Sequence, residues 1–136
     1  MRISFGIRNN NPFNIRYNRL NKWQGMTSQN NGFCVFSSME YGLRAGIITL
    51  KNYIQKHKLH SVEEIISRFA PSGENPTFNY ISYISNALDS RGLDSSYIEY
   101  NRRNFIVMCQ FILLFESWYQ ISEEGLISII KQFKIK

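Results

Sequence analysis

Residues 106–118, IVMCQFILLFESW, close the longest apolar run in the chain, which extends from Phe105 to Phe115 and is broken only by Gln110. A helix needs about 20 apolar residues to cross a bilayer, so this run is too short to do so and must find a protein core instead. The chain has 136 residues, enough for one such core but not two. The run ends on a carboxylate. Stepping back along a helix from Glu116 reaches Leu113, Ile112 and Cys109, all apolar. A carboxyl on that face is expected to be desolvated and to keep its proton to higher pH, as a general acid must near neutrality. The competing reading is a last helical turn that simply emerges into solvent.

The remaining periodicity predicts an α+β, mainly α, domain over 1–136. Residues 1–36 read as a small β lobe of turns and short strands: NNNPFN and QNNG are turn chemistry, while NIRY and GFCVF alternate like strands. About five helices follow over 37–136. Ser37 and Glu40 form a capping box ahead of a stripe of Leu43, Ile47, Leu50 and Ile54. Ser61 and Glu64 form a second one before VEEIISRF. Thr77 is expected to cap FNYISYISNALDSR, which Gly92 ends. The apolar helix over roughly 100–117 and a last one over 122–134, capped by Ser122, complete the chain.

Hydrophobic residues make up 43% of the chain and aromatic ones 15%, which is ordinary globular material. Net charge is +6, unevenly spread: Met1 to Met39 contain no acid but carry Arg2, Arg8, Arg16, Arg19 and Lys22. Such a lobe suits a polyanion (nucleic acid, an anionic membrane surface or a cell-wall polymer) or simply serves as a solvated basic face. Cys34 and Cys109 read as small buried hydrophobes rather than a disulfide. His57 and His60 lack the companions of a ligand set, so no metal and no cofactor is expected. The N-terminus has no apolar h-region, so no secretory signal is expected.

ILLFESWYQIS resembles the end of the catalytic helix in the lysozyme superfamily. There a Glu–Ser pair closes an apolar helix, and in goose-type lysozymes and lytic transglycosylases the Glu is the acid/base. NNPFNIRYNRLNKWQG is similar to the segment that follows this Glu in flagellar-type glucosaminidases, and GFCVFSSMEYGLRAGIITLKNY to their next strand and helix. FAPSGENPTFNYISYI resembles the Pro–x–Glu–Thr–x–x–Tyr–Val region of lytic transglycosylases, with Asn75 and Pro76 interrupting the Glu–Thr pair. The order here, β lobe before catalytic helix, implies a circularly permuted lysozyme-like fold. A set of phage virion structural proteins with RNNNPGNIR-like starts shares that order. Phe13 stands where those proteins have glycine, and Ser117-Trp118 where they have Asn–Gly, which is expected to add bulk beside the cleft.

The resemblance implies a peptidoglycan-cleaving glycosidase or lytic transglycosylase acting on the β-1,4 bond between amino sugars, with Glu116 as acid/base. Glu74 is the candidate second carboxylate; a loop acid favouring the next helix dipole is its other reading. Asn9, Asn10, Asn11 and Asn14 could bond sugar hydroxyls and N-acetyl groups, or serve only as turn residues. Tyr17, Trp23 and Tyr80 could stack on sugar rings, or belong to the core. Thr77 joins the substrate-binding set through the transglycosylase-like segment. The expected partner is a peptidoglycan glycan strand, with other virion or secretion components for delivery to the wall. Neither nucleic acid nor membrane insertion is expected, and the chain reads as a monomer. The rivals are a catalytically silent virion or wall-binding component and a small basic nucleic-acid-binding protein.

Overall fold

A computed structural model describes residues 4–71 and 76–136. The elements are α1 (Phe5–Arg8), β1 (Met26–Asn30), β2 (Phe33–Phe36), α2 (Met39–Gln55), α3 (Val62–Phe69), α4 (Thr77–Asp89), α5 (Arg103–Ser117) and α6 (Glu123–Gln132). The protein is α+β and mainly α, with its sheet confined to the N-terminal part. It divides into two compact units: one runs up to Ile48 and resumes at Ile112–Lys136, and the other is Thr49–Phe111.

In the first unit β1 and β2 form an antiparallel hairpin with a register irregularity between Met26 and Ser28. Asn31 and Gly32 lie at φ +52° and +85°, the two left-handed residues of the tight turn that Asn–Gly favours. GFCVF is therefore a strand, as its alternation predicts, and its partner is MTSQN; NIRY, which alternates in the same way, is not a strand. NIRY contributes only an isolated bridge, Arg16 to Phe33. The first residues also differ from expectation, for Phe5–Arg8 make one helical turn capped by Ser4, whose Oγ accepts from the N–H of Ile7.

The free edge of β2 is covered by the loop over 9–15 instead of a third strand. Cys34 N–H donates to Ile15 O and Phe36 N–H to Asn9 O. The Asn10 amide donates to Phe36 O. Asn11 is wholly buried; its amide donates to Ile15 O and Cys34 O while its carbonyl oxygen accepts from Ile15 N–H. Covering an edge in this way satisfies backbone groups that would otherwise invite another chain. Phe13 is buried against Gly46, where a Cβ would collide with its ring, and Gly42 leaves room for Asn10 O in the same manner. Phe13 thus fills the core beneath α2 rather than crowding a cleft, because a glycine on α2 admits the ring.

Helix boundaries follow local chemistry. α2 opens at Met39, so Ser38 rather than Ser37 precedes its first residue, and the stripe Leu43, Ile47, Leu50 and Ile54 is buried. Ser61 and Glu64 form the reciprocal capping box of α3. Pro76, not Thr77, occupies the N-cap of α4 and supplies no side-chain cap bond; the Thr77 hydroxyl donates to Ala70 O at 2.6 Å. Leu93 N–H to Leu88 O and Gly92 N–H to Asp89 O, with Gly92 at φ +70°, close α4 as a Schellman motif. Ser122 Oγ accepts from Gly125 N–H and caps α6.

In the second unit Val62, Ile65 and Ile66 of α3 and Tyr80, Ile84 and Leu88 of α4 are buried, as are Phe105 to Cys109 of α5. Cys34 and Cys109 are free and buried; burial raises both thiols, and Cys109 most strongly.

Two predictions follow from this packing. Asn11→Ala removes three bonds and strands the Ile15 N–H, so it should lower unfolding free energy by about 2–4 kcal/mol in denaturant titrations. Burial, helped by Cys109, pushes the Tyr100 phenol up to about 12 from 10.0. The protonated ring therefore favours the fold. Its contribution is complete below about pH 10 and is lost as pH rises towards 12. Tyr100→Phe should flatten that part of the alkaline decline in the denaturant midpoint.

Candidate functional site

The last turn of α5 exposes backbone carbonyls that no later helical residue can satisfy. One of them, the Glu116 carbonyl, is met by a side chain of the N-terminal segment, 102 positions away. The Asn14 amide donates to the Glu116 carbonyl at 3.2 Å and to Glu116 Oε1 at 2.9 Å. Ser117 is buried, and its hydroxyl donates to Pro12 O at 2.7 Å. Asn14 lies at φ +55°, a left-handed conformation that asparagine tolerates better than most residues, and its N–H donates to Asn11 O. Gly6 closes over this junction; a Cβ there would fall 2.7 Å from Asn14 Oδ1 and 2.8 Å from Asn11 O. NNPFN is therefore seated against the end of the Glu116 helix.

Glu116 is half-buried. Ile112 and Leu113, one turn back, are buried, as their helical spacing predicts. One carboxylate oxygen is oriented by a neutral amide, a donor that fixes direction without bringing a compensating charge. The helix stops at Trp118, φ +56°, whose N–H donates to Leu114 O as in a left-handed C-terminal cap. Its side chain is 81% exposed, so the bulk expected beside the site is present at Trp118, although not at Phe13. Tyr119 follows; burial raises its phenol and the charge of Glu40 adds to the effect.

Other sequence-derived candidates fall differently. Asn11 and Tyr80 are fully buried, so neither can meet a glycan; the first is used up on backbone groups and the second belongs to the core of the second unit. Thr77 is engaged with Ala70 O in that same unit. Asn10 is committed to Phe36 O, and Asn9, 3% exposed, accepts from Asn30 at 3.4 Å. Tyr17 is exposed. Trp23 is half-buried and lines an open cleft in the first unit with Leu20, Lys22, Arg44 and Ile48. Glu74 lies outside the described residues. His60 stacks on Tyr97 at 5.0 Å. Among the described residues no three His, Cys, Asp or Glu side chains group as metal ligands, and no helix is long and apolar enough to cross a membrane.

Sequence reasoning missed Ser117 as a docking group and treated Asn14 as a sugar ligand rather than the partner of Glu116. A polar pair ending an apolar helix was the available signal. Its partner segment could not be found by spacing.

No known family model matches the chain. It is similar to Protein P5 of Pseudoalteromonas phage PM2, with 40% identity over 85 residues covering 60% of this chain and 53% of that protein. The chain thus spans about half the length of the curated relative it matches.

Ser117→Ala should strand Pro12 O at a buried junction and cost about 1–3 kcal/mol. Asn14→Ala should loosen the same junction, read as faster amide exchange at Trp118 and Tyr119 while exchange within α3 stays unchanged. Equal exchange at both places would remove Asn14 as the clamp.

Proposed function

We propose that this chain is a phage-type protein that acts on the bacterial cell wall, with Glu116 as the general acid that cleaves the glycan strand. The single observation that carries the catalytic part is the half-buried Glu116 carboxyl held at 2.9 Å by the Asn14 amide. A carboxyl fixed in direction and partly withdrawn from water is arranged to deliver a proton to a glycosidic oxygen. The phage part rests on the similarity to Protein P5 of phage PM2.

In this reading Glu116 protonates the leaving oxygen of the β-1,4 bond. The ionised carboxylate then takes a proton from the incoming hydroxyl. If that hydroxyl belongs to the substrate itself, the products carry anhydro ends, as in lytic transglycosylases. If Glu74 holds a water, a two-carboxylate hydrolysis results. We favour the first course, since the basic N-terminal segment has no acid before Glu40.

A second reading is supported more directly by the similarity to a phage protein, which bears on phage origin and is silent on catalysis. In it the chain is a virion or wall-binding component that keeps the Asn14–Glu116 junction for stability alone.

Digestion of purified peptidoglycan with mass analysis of the products separates the two. Glu116→Gln should slow release of glycan fragments by about two to four orders of magnitude while the far-ultraviolet spectrum is unchanged. Glu74→Gln should slow it only modestly. Absence of fragments from the parent chain, or equal release by Glu116→Gln, would leave the structural reading.

A further inference from the structure

The cleft beside Trp23 has a chemistry of its own. Leu20 and Ile48 provide apolar contact and Trp23 an aromatic face, while Lys22 and Arg44 bring positive charge and none of the lining residues is acidic. The loop that carries it is built for the purpose of holding shape. Asn18 bonds Leu20 N–H through its side chain, Asn21 N–H donates to Asn18 O, and Met26 N–H donates to Trp23 O. Gly25, at φ +80°, lies so close to the Tyr41 ring that no side chain would fit, which fixes the loop against α2.

Arg44 is half-buried and rests over the Phe133 ring, 5.8 Å from guanidinium carbon to centroid. Glu40 stands one helical turn before it, where an ion pair would normally form. Among the described residues neither Arg44 nor Lys22 makes such a pair. The Trp23 indole N–H is buried and makes no hydrogen bond among the described residues, while the indole ring itself lines the cleft. A partly desolvated guanidinium without a carboxylate is an unmet requirement beside the cleft, and it is met by oxygens of an anion. The aromatic face adds a surface for the apolar side of a ring.

We propose that the Trp23–Arg44 cleft is a binding subsite for a sugar ring bearing a carboxylate, with Arg44 and Lys22 holding the carboxylate and Trp23 the ring. This deepens the wall-directed reading and rests on it for the choice of a sugar. The cleft would give the protein a preference for acid-bearing glycans over neutral ones, apart from any reaction at Glu116.

The test is equilibrium binding, measured on the Glu116→Gln chain so that no cleavage intervenes, at constant ionic strength near 0.15 M. Two probes are compared: peptide-free peptidoglycan glycan strands, which carry lactyl carboxylates, and chitin oligosaccharides of the same length, which are neutral. We expect the acidic strand to bind at least about tenfold more tightly. Arg44→Gln should abolish that preference with little change in chitin binding, and Arg44→Lys should restore part of it. Lys22→Gln, on an exposed side chain, should reduce the preference and guards against misfolding of the Arg44 variants.

Equal binding of both glycans, or a preference that survives both Arg44→Gln and Lys22→Gln, would overturn the proposal. So would inorganic phosphate displacing the acidic strand at equal concentration, which would mark a general anion site. Because binding is read without turnover, lack of lysis by the parent chain would refute catalysis at Glu116 and leave this result standing.

Discussion

Pinning the start of the chain onto the end of α5 is the contact on which the first unit depends. A helix end needs partners for its carbonyls; Asn14 meets that of Glu116 across 102 residues, and the Ser117 hydroxyl donates back to Pro12 O across 105. Closing so long a loop is entropically unfavourable, but the cost grows only slowly with length. The return comes from a set of mutually supporting bonds: Asn11 to Ile15 and to Cys34 of β2, Asn14 to Glu116, and Ser117 to Pro12. Glu116 acquires a fixed neighbour as a by-product of this helix termination.

Asparagine does most of this work for two separate physical reasons. Asn10, Asn14 and Asn31 sit at positive φ, where a short polar side chain is tolerated and a β-branched one is not. Asn11 uses both ends of its amide at once, donating to two carbonyls and accepting from one N–H, which no hydroxyl or carboxylate could match. The Asn-rich opening is thus a backbone device before it is anything else. Asn14 extends from it to the candidate reactive group.

Small residues complete the arrangement. Gly6, Gly42 and Gly46 each stand where another segment arrives too closely for a Cβ: the Asn14–Ser117 junction, Asn10 O and the Phe13 ring. Two cations of the first unit are held against aromatic rings. Arg16 lies over Phe33 and Arg44 over Phe133, each guanidinium resting on an aromatic face. Such placement keeps a cation oriented.

Much of this was determined by sequence alone. The period of α2, the reciprocal cap of Ser61 and Glu64, the Gly92 stop, the Ser122 cap and the burial of the α5 run all depend on residues within a few positions of one another. The mainly α architecture with a small N-terminal sheet follows from those same local signals. What tertiary structure decided is which side chains join distant segments, although the order of the segments had already implied that the N-terminal part lies beside the end of the Glu116 helix. β2 pairs with Met26–Asn30 through the Asn–Gly turn, whereas NIRY, despite its alternation, forms no strand. Phe13 went inward because Gly46, 33 positions away, leaves it a place. Asn11 and Tyr80 became interior groups, and Asn14 became the neighbour of Glu116. Side-chain type at these positions admits either a buried or a ligand-facing role, and only the packing of distant segments selects between them.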